Sequence, residues 1–212
     1  MPEKIRVIQF GCGPIGASIA RLASTKPGIE IVGAADLANA RRDLGEVIGI
    51  PRTGIVVSGD ADTLFERVKA DAVLHATGSV LKDVYPQLEM AIKAGCNIVS
   101  TCEELSYPWK KQPELASKID KLAVKHKVTV LGTGVNPGFL MDTWPLFMTG
   151  VCQNVKQIKA VRVQDASKRR GPFQKKIGAG KTADQFKVLA GSGTIRHVGL
   201  AESIAMIAAG LG

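Results

Sequence analysis

A doubly wound α/β fold with a parallel sheet follows from three observations. Short apolar runs alternate with segments of helical period over about the first 135 residues. The first run, Ile5-Arg-Val-Ile-Gln-Phe10, passes directly into Gly11-Cys-Gly-Pro-Ile-Gly16, a strand followed by a glycine turn and a helix start. A second apolar run ends at Asp36, twenty residues after Gly16. Parallel strands need crossover helices, which then cover both faces of the sheet. The glycine turn and the later acid make the predicted fold Rossmann-type.

Each element has its own signal. Residues 5–10 form a buried strand and 15–23 a helix entered through Pro14. Residues 29–35 are the second strand and 55–58 a short third one. A helix is predicted at 61–68, and Asp71-Ala-Val-Leu-His-Ala76 is the next strand. In 84–94, Tyr85, Leu88, Ala91 and Ile92 share one helical face. Residues 97–100 form a strand, 113–126 a helix with Pro113 in its first turn, and 128–131 a strand. The pattern then changes. Residues 154–163 (Val155, Ile158, Ala160, Val161, Val163) predict a longer strand, followed by helices at 183–190 and 198–211. The chain therefore divides into a dinucleotide-binding domain, 1–135, and the start of an α+β domain, 136–212, for substrate binding or oligomerisation. With one long strand in fewer than 80 residues, the second domain cannot cover its own sheet. Truncation, or completion by a partner in a homodimer or higher homo-oligomer, is the expectation.

Composition narrows the function classes. Hydrophobic residues make up 45% and charged residues 22% of the chain, ordinary values for a globular protein. No apolar run reaches the roughly 18–20 residues of a membrane span, and no signal peptide opens the sequence. Cys12, Cys96, Cys102 and Cys152 form no C-x-x-C pair, which points to reduced thiols and a cytoplasmic protein. The net charge of +9 is concentrated around Lys168–Lys181, while aromatic residues are only 5%. With few rings for base stacking, an anionic cofactor and a small-molecule substrate account for the charge better than nucleic acid does. No metal-ligand spacing and no serine-hydrolase elbow is present.

The candidate site lies where the strands end, since ligands of open α/β sheets bind outside the carboxyl ends. Gly11 permits the tight turn, Gly13 admits a pyrophosphate and Gly16 lets the helix pack on the sheet. Cys12, Pro14 and Ile15 complete the loop, whose free N–H groups face the phosphates. Asp36 accepts from the ribose hydroxyls and favours NAD, while Arg41 and Arg42 can neutralise a 2′-phosphate. NAD or NADP is therefore expected. Thr77, Gly78 and Ser79 follow the fourth predicted strand. Asn136, in Gly132-Thr-Gly-Val-Asn-Pro-Gly-Phe139, is placed to reach the nicotinamide carboxamide or to serve as a turn residue. Glu103 and Glu104 are the candidate proton acceptors, one facing the crevice and the other free to cap backbone.

The basic stretch Lys168–Thr182 ends in Gly-Lys-Thr but lacks the first glycine of a P-loop, having Lys175 there. An anion site remains: Gly178 and Gly180 as a backbone nest, Thr182 as an N-cap, and Lys175, Lys176 or Lys181 for a carboxylate. A solvated basic loop explains the same residues. His75 reads as a core residue and His126 as a helix-end charge. His197 stands before the last helix, facing substrate or capping.

Gly132-Thr-Gly-Val-Asn-Pro-Gly-Phe-Leu-Met-Asp142, Gln174-Lys-Lys-Ile-Gly-Ala-Gly180 and His197-Val-Gly-Leu200 resemble the 2,4-diaminopentanoate dehydrogenases and related native amine dehydrogenases. The N-terminal half is similar to that of dihydrodipicolinate reductase. The resemblance implies NAD(P)-dependent oxidative deamination of a small amine or diamino acid, with a glutamate of Thr101-Cys-Glu-Glu-Leu105 handling the protons. It also implies that the lysine and glycine stretch 175–182 holds a substrate carboxylate, although a serine of the reductases is replaced here. An imine reductase and a non-catalytic dinucleotide-binding fragment are the alternatives.

Overall fold

The computed structural model describes residues 3–168, 171–195 and 198–212. Five parallel strands, β1 (Ile5–Phe10), β2 (Ile29–Ala35), β3 (Ala72–His75), β4 (Asn97–Ser100) and β5 (Val130–Gly132), lie in the order β2-β1-β3-β4-β5. The order reverses at β1, so the crevice opens beside the turn that follows it. Helices α1 (Pro14–Ala23), α2 (Leu44–Ile48), α3 (Ala61–Arg67), α4 (Leu81–Lys93) and α5 (Pro113–His126) belong to this half.

One sheet face is buried along its length, and the other is covered over β1 and β2, whereas Val99 of β4 and Leu131 of β5 are 39% and 51% exposed. Ala35 packs with Phe10, Val73, Leu88, Ile92 and Ile98 in one core, whereas its neighbour Ala34 packs with Ala20, Leu44, Ile48 and Val57 in the other. That alternation is the two-residue period of a strand. α4 begins three residues before the predicted start, because the Glu104 carboxylate accepts the Leu81 N–H at 2.9 Å. A cap supplied from a distant loop leaves no local sequence signal.

Two expected strands are not formed. Residues 55–58 make only single bridges, Ser58 to Ala35 and Val56 to Asp43. Residues 154–163 carry no regular structure, and Val161 and Val163 are 71% and 90% exposed. Their alternation needs a neighbouring strand to supply ladder partners, and none of the described residues provides one.

Beyond β5 come α6 (Thr143–Met148), α7 (Gly171–Lys176), α8 (Ala183–Gly191) and α9 (Leu200–Leu211). α6 packs on α9 closely enough that a Cβ on Gly210 would lie 2.4 Å from Leu146. Asp142 anchors the pair. Its buried carboxylate accepts from the Gly138 and Thr143 N–H groups and from the Ser203 hydroxyl, the last at 2.7 Å.

Candidate functional site

The glycine turn is closed on the sheet side and open on the other. Gly11 adopts φ +89°, and a Cβ there would lie 2.6 Å from the Ala76 carbonyl oxygen. A Cβ on Gly16 would lie 1.8 Å from the Gly11 carbonyl oxygen, whereas one on Gly13 would meet nothing within 4 Å. Gln9, buried within β1, donates from Nε2 to the Gly11 carbonyl at 2.8 Å and fixes the turn from below. α1 opens at Gly13 with Pro14 at its start, no side-chain cap and no acid in its first turn. Its N–H groups and positive dipole end are thus left for an anion, and the open face of Gly13 gives room for one. A pyrophosphate fits this cradle. Ile15 is partly exposed beside it. Cys12 is buried, and burial, followed by the nearby Asp36 charge, pushes its thiol up to about 12. It is a packing residue, not a thiolate.

Asp36 stands at the end of β2, where its carboxylate closes the turn. It accepts the Cys12 N–H at 2.7 Å, and the Asn39 N–H and Nδ2 at 2.9 and 3.0 Å. Burial opposes ionisation, but these hydrogen bonds outweigh it and hold the carboxyl below the usual range. The carboxylate is therefore charged at neutral pH. Arg42 joins the network by donating to the Asn39 side-chain oxygen at 3.0 Å. Arg41 is exposed, with a left-handed backbone at φ 69°.

The later loops stack on one another along the sheet edge. The Glu104 N–H donates to the Ser79 carbonyl at 3.2 Å, and the Thr133 N–H to the Ser100 carbonyl at 2.9 Å. A Cβ on Gly78 would press on Val84 at 3.0 Å, so this glycine permits the approach of α4. Thr77 bonds His75 and Gln87 through its hydroxyl. His75 is buried, its Nδ1 is 2.8 Å from the Ser100 hydroxyl, and burial lowers its pKa against the raising effect of Gln87. It is the satisfied core histidine that the strand position predicts.

The two adjacent glutamates occupy different environments. Glu104 is 5% exposed, and its carboxylate caps α4, binds Lys111 at 2.7 Å and accepts from the Gln112 amide. Glu103 is half-buried on the other side, 3.2 Å from the Lys176 ammonium, with Pro137 and Gly199 close by. Of the two, Glu103 is the acid directed away from the α4 cap, toward Lys176 and the loop at Pro137. Asn136 is half-buried in the adjoining loop, just before Pro137.

Of the residues expected to hold a substrate carboxylate, the structure brings Lys176 to Glu103. Lys175 is exposed, and Thr182 caps α8 in a reciprocal capping box with Gln185. Gly178 has φ +74° with Phe186 and Ile195 against it, so its role is the turn before α8. Gly180, at φ +78°, borders open space. Thr182 is thus the N-cap expected of it. His197 lies outside the described residues. The sequence reading missed Gln9, Asn39, Lys111, Gln112 and Glu202. Of these, only Gln9 carried a signal, an amide inside an apolar strand. Among the described residues, no group of three His, Cys, Asp or Glu side chains is set to hold a metal. No helix among them is long and apolar enough to cross a membrane.

Residues 5–130 match the family model for dihydrodipicolinate reductase, N-terminus, and 139–212 match the 2,4-diaminopentanoate dehydrogenase C-terminal domain. The first match spans more than half of the chain, which belongs to the dihydrodipicolinate reductase N-terminal domain family. The 2,4-diaminopentanoate dehydrogenase of Acetoanaerobium sticklandii is 36% identical over 99% of this chain and 61% of its own length. An amine dehydrogenase of Streptomyces virginiae is 22% identical over 85% of this chain and 52% of that protein. The solved amine dehydrogenase from Mycobacterium smegmatis superposes with a TM-score of 0.81 at 26% identity, over 98% of this chain and 62% of that one. The chain thus spans between half and two thirds of the length of these relatives.

Proposed function

We propose that this protein acts as an NAD(P)-dependent dehydrogenase of a small amine or diamino acid, with Glu103 as proton acceptor. The observation that carries the reading is the position of Glu103 on the loop after β4, beside Pro137 and 3.2 Å from Lys176, in a sheet whose first turn is open over Gly13. Gly11–Gly16 would hold a pyrophosphate and Asp36 the adenosine ribose, with Thr77, Ser79 and Asn136 along the way to the nicotinamide. When bound, the dinucleotide supplies the hydride acceptor. The residues of the chain move the protons. Glu103 takes a proton from the substrate ammonium, so that the nitrogen lone pair can drive hydride off the same carbon. After that proton has passed to solvent, Glu103 takes one from the water that adds to the resulting iminium carbon and returns it to the nitrogen. The C–N bond then breaks, the departing ammonia takes up the hydroxyl proton, and ketone, ammonium and reduced cofactor are released. Lys176, 3.2 Å away, orients Glu103 between turnovers. Asp36 with Arg42 nearby supports use of both NAD and NADP. The names of the similar proteins support the amine as substrate class.

A panel of short amines and diamino acids, each with NAD and with NADP, tests this by the absorbance of reduced cofactor. Amine-dependent reduction with at least one substrate is expected. Tight cofactor binding without turnover of any amine would favour a non-catalytic dinucleotide-binding fragment.

A further inference from the structure

Lys111 joins two carboxylates that belong to different parts of the chain. Its ammonium lies 2.7 Å from Glu104, in the loop after β4, and 3.3 Å from Glu202, in the first turn of α9. Both acids are closed off from solvent, with side chains 6% and 1% exposed, whereas Lys111 is half exposed. Neither Glu202 oxygen accepts a hydrogen bond among the described residues, so the Lys111 charge is its main compensation. A buried carboxylate so poorly provided for costs stability, and its position needs a reason other than packing. The surrounding contact is not tightly filled either. A cavity of about 360 Å³ runs beside Lys111 between Tyr107 and the α9 residues Ile204 and Ala205. One turn before Glu202, Gly199 sits against Pro137 and the Glu103 side chain, where a Cβ would lie 2.5 and 3.3 Å away. The start of α9 therefore forms one wall of the Glu103 site, and Lys111 ties that wall to the residue next to Glu103.

We infer that Lys111 is a positioning residue that sets Glu103 by fastening α9 to the Glu103–Glu104 turn through the paired carboxylates of Glu104 and Glu202. The inference rests on the reading of Glu103 as proton acceptor. If Lys111 served only to neutralise Glu104, Glu202 would be dispensable.

Glu202→Gln separates these cases, since it preserves volume and leaves the Lys111–Glu104 pair intact. Lys111→Met and the double variant complete a cycle, measured by thermal unfolding and by steady-state kinetics with cofactor affinity in parallel. The expected result is a fall in kcat of about tenfold or more in Glu202→Gln, with cofactor Kd unchanged. The double variant should be no slower than Lys111→Met, and the unfolding shifts should be similarly non-additive. Lys111→Arg, which keeps the charge, should recover part of kcat. A folded Glu202→Gln with kcat within twofold of the parent overturns the inference, as do additive effects of the two substitutions. If Lys111→Met fails to fold, the Glu202→Gln and Lys111→Arg comparisons decide alone. A parent protein that oxidises no amine would instead overturn the proposed function. The unfolding cycle would still report whether the tie exists.

Discussion

Glu103 and Glu104 show how one residue of sequence separates two functions. Adjacent side chains diverge, and here one reaches Lys176 while the other reaches a helix N-terminus, Lys111 and Gln112. Glu104→Gln should lower unfolding stability by about 2–3 kcal/mol in a denaturant titration, the cost of a broken buried pair reduced because Lys111 is half exposed. Asp142 gives a pH-dependent prediction. Burial raises its pKa, but the Ser203, Gly138 and Thr143 hydrogen bonds outweigh burial and hold it below the ordinary value. A carboxyl depressed in the folded state adds stability that is complete above its unfolded value, near 4, and is lost as pH falls through the folded value. The parent should therefore exceed Asp142→Asn in urea midpoint at pH 6, with the gap closing in acid. A constant gap from pH 6 downward would show that the charge of Asp142 is not what holds α6 to α9. At Asp36, substitution with Ala should weaken NAD binding and raise the NADP-to-NAD affinity ratio, measured by titration calorimetry. It should also loosen the turn, because the Cys12 N–H loses its acceptor.

At the scale of elements, β1, the glycine turn and α1 form a unit in which each glycine has a different task. Gly16→Ala forces a Cβ onto the Gly11 carbonyl, so α1 must move off the sheet and the protein should be strongly destabilised. Gly13→Ala meets open space, so the fold should persist while dinucleotide affinity falls. Thermal unfolding with and without cofactor separates the two. An equal loss of intrinsic stability in both would contradict the assignment of Gly13 to the ligand. These elements were readable because buried parallel strands are written as continuous apolar runs and the turn as fixed glycines. The short α2 was not readable. It starts where the Asp43 carboxylate accepts the Gly45, Thr53 and Gly54 N–H groups, an arrangement that depends on chain ten residues away. Residues 154–163 were over-read for the converse reason: alternation reports a preference for a sheet but cannot supply the partner strand. In the site, the residue types and the crevice were legible from strand ends. The choice between Glu103 and Glu104, and the roles of Lys111 and Glu202, depend on contacts between segments distant in sequence.

Across the whole molecule, the nucleotide-binding half and the chain after β5 meet at the Glu103 turn. Lys176 of α7 approaches it, Pro137 and Gly199 border it, and Lys111 holds its far side to α9. Each half thus contributes to the surroundings of one carboxylate, at the end of the sheet where the anion cradle opens. The central claim is that this carboxylate moves the protons of amine oxidation. Reduced-cofactor formation by the parent and by Glu103→Gln, at saturating amine and cofactor, tests it most directly. The account predicts a loss of about 10²–10⁴ in kcat for Glu103→Gln, with cofactor affinity and thermal stability unchanged. A variant that binds cofactor normally and turns over within a few-fold of the parent would contradict it.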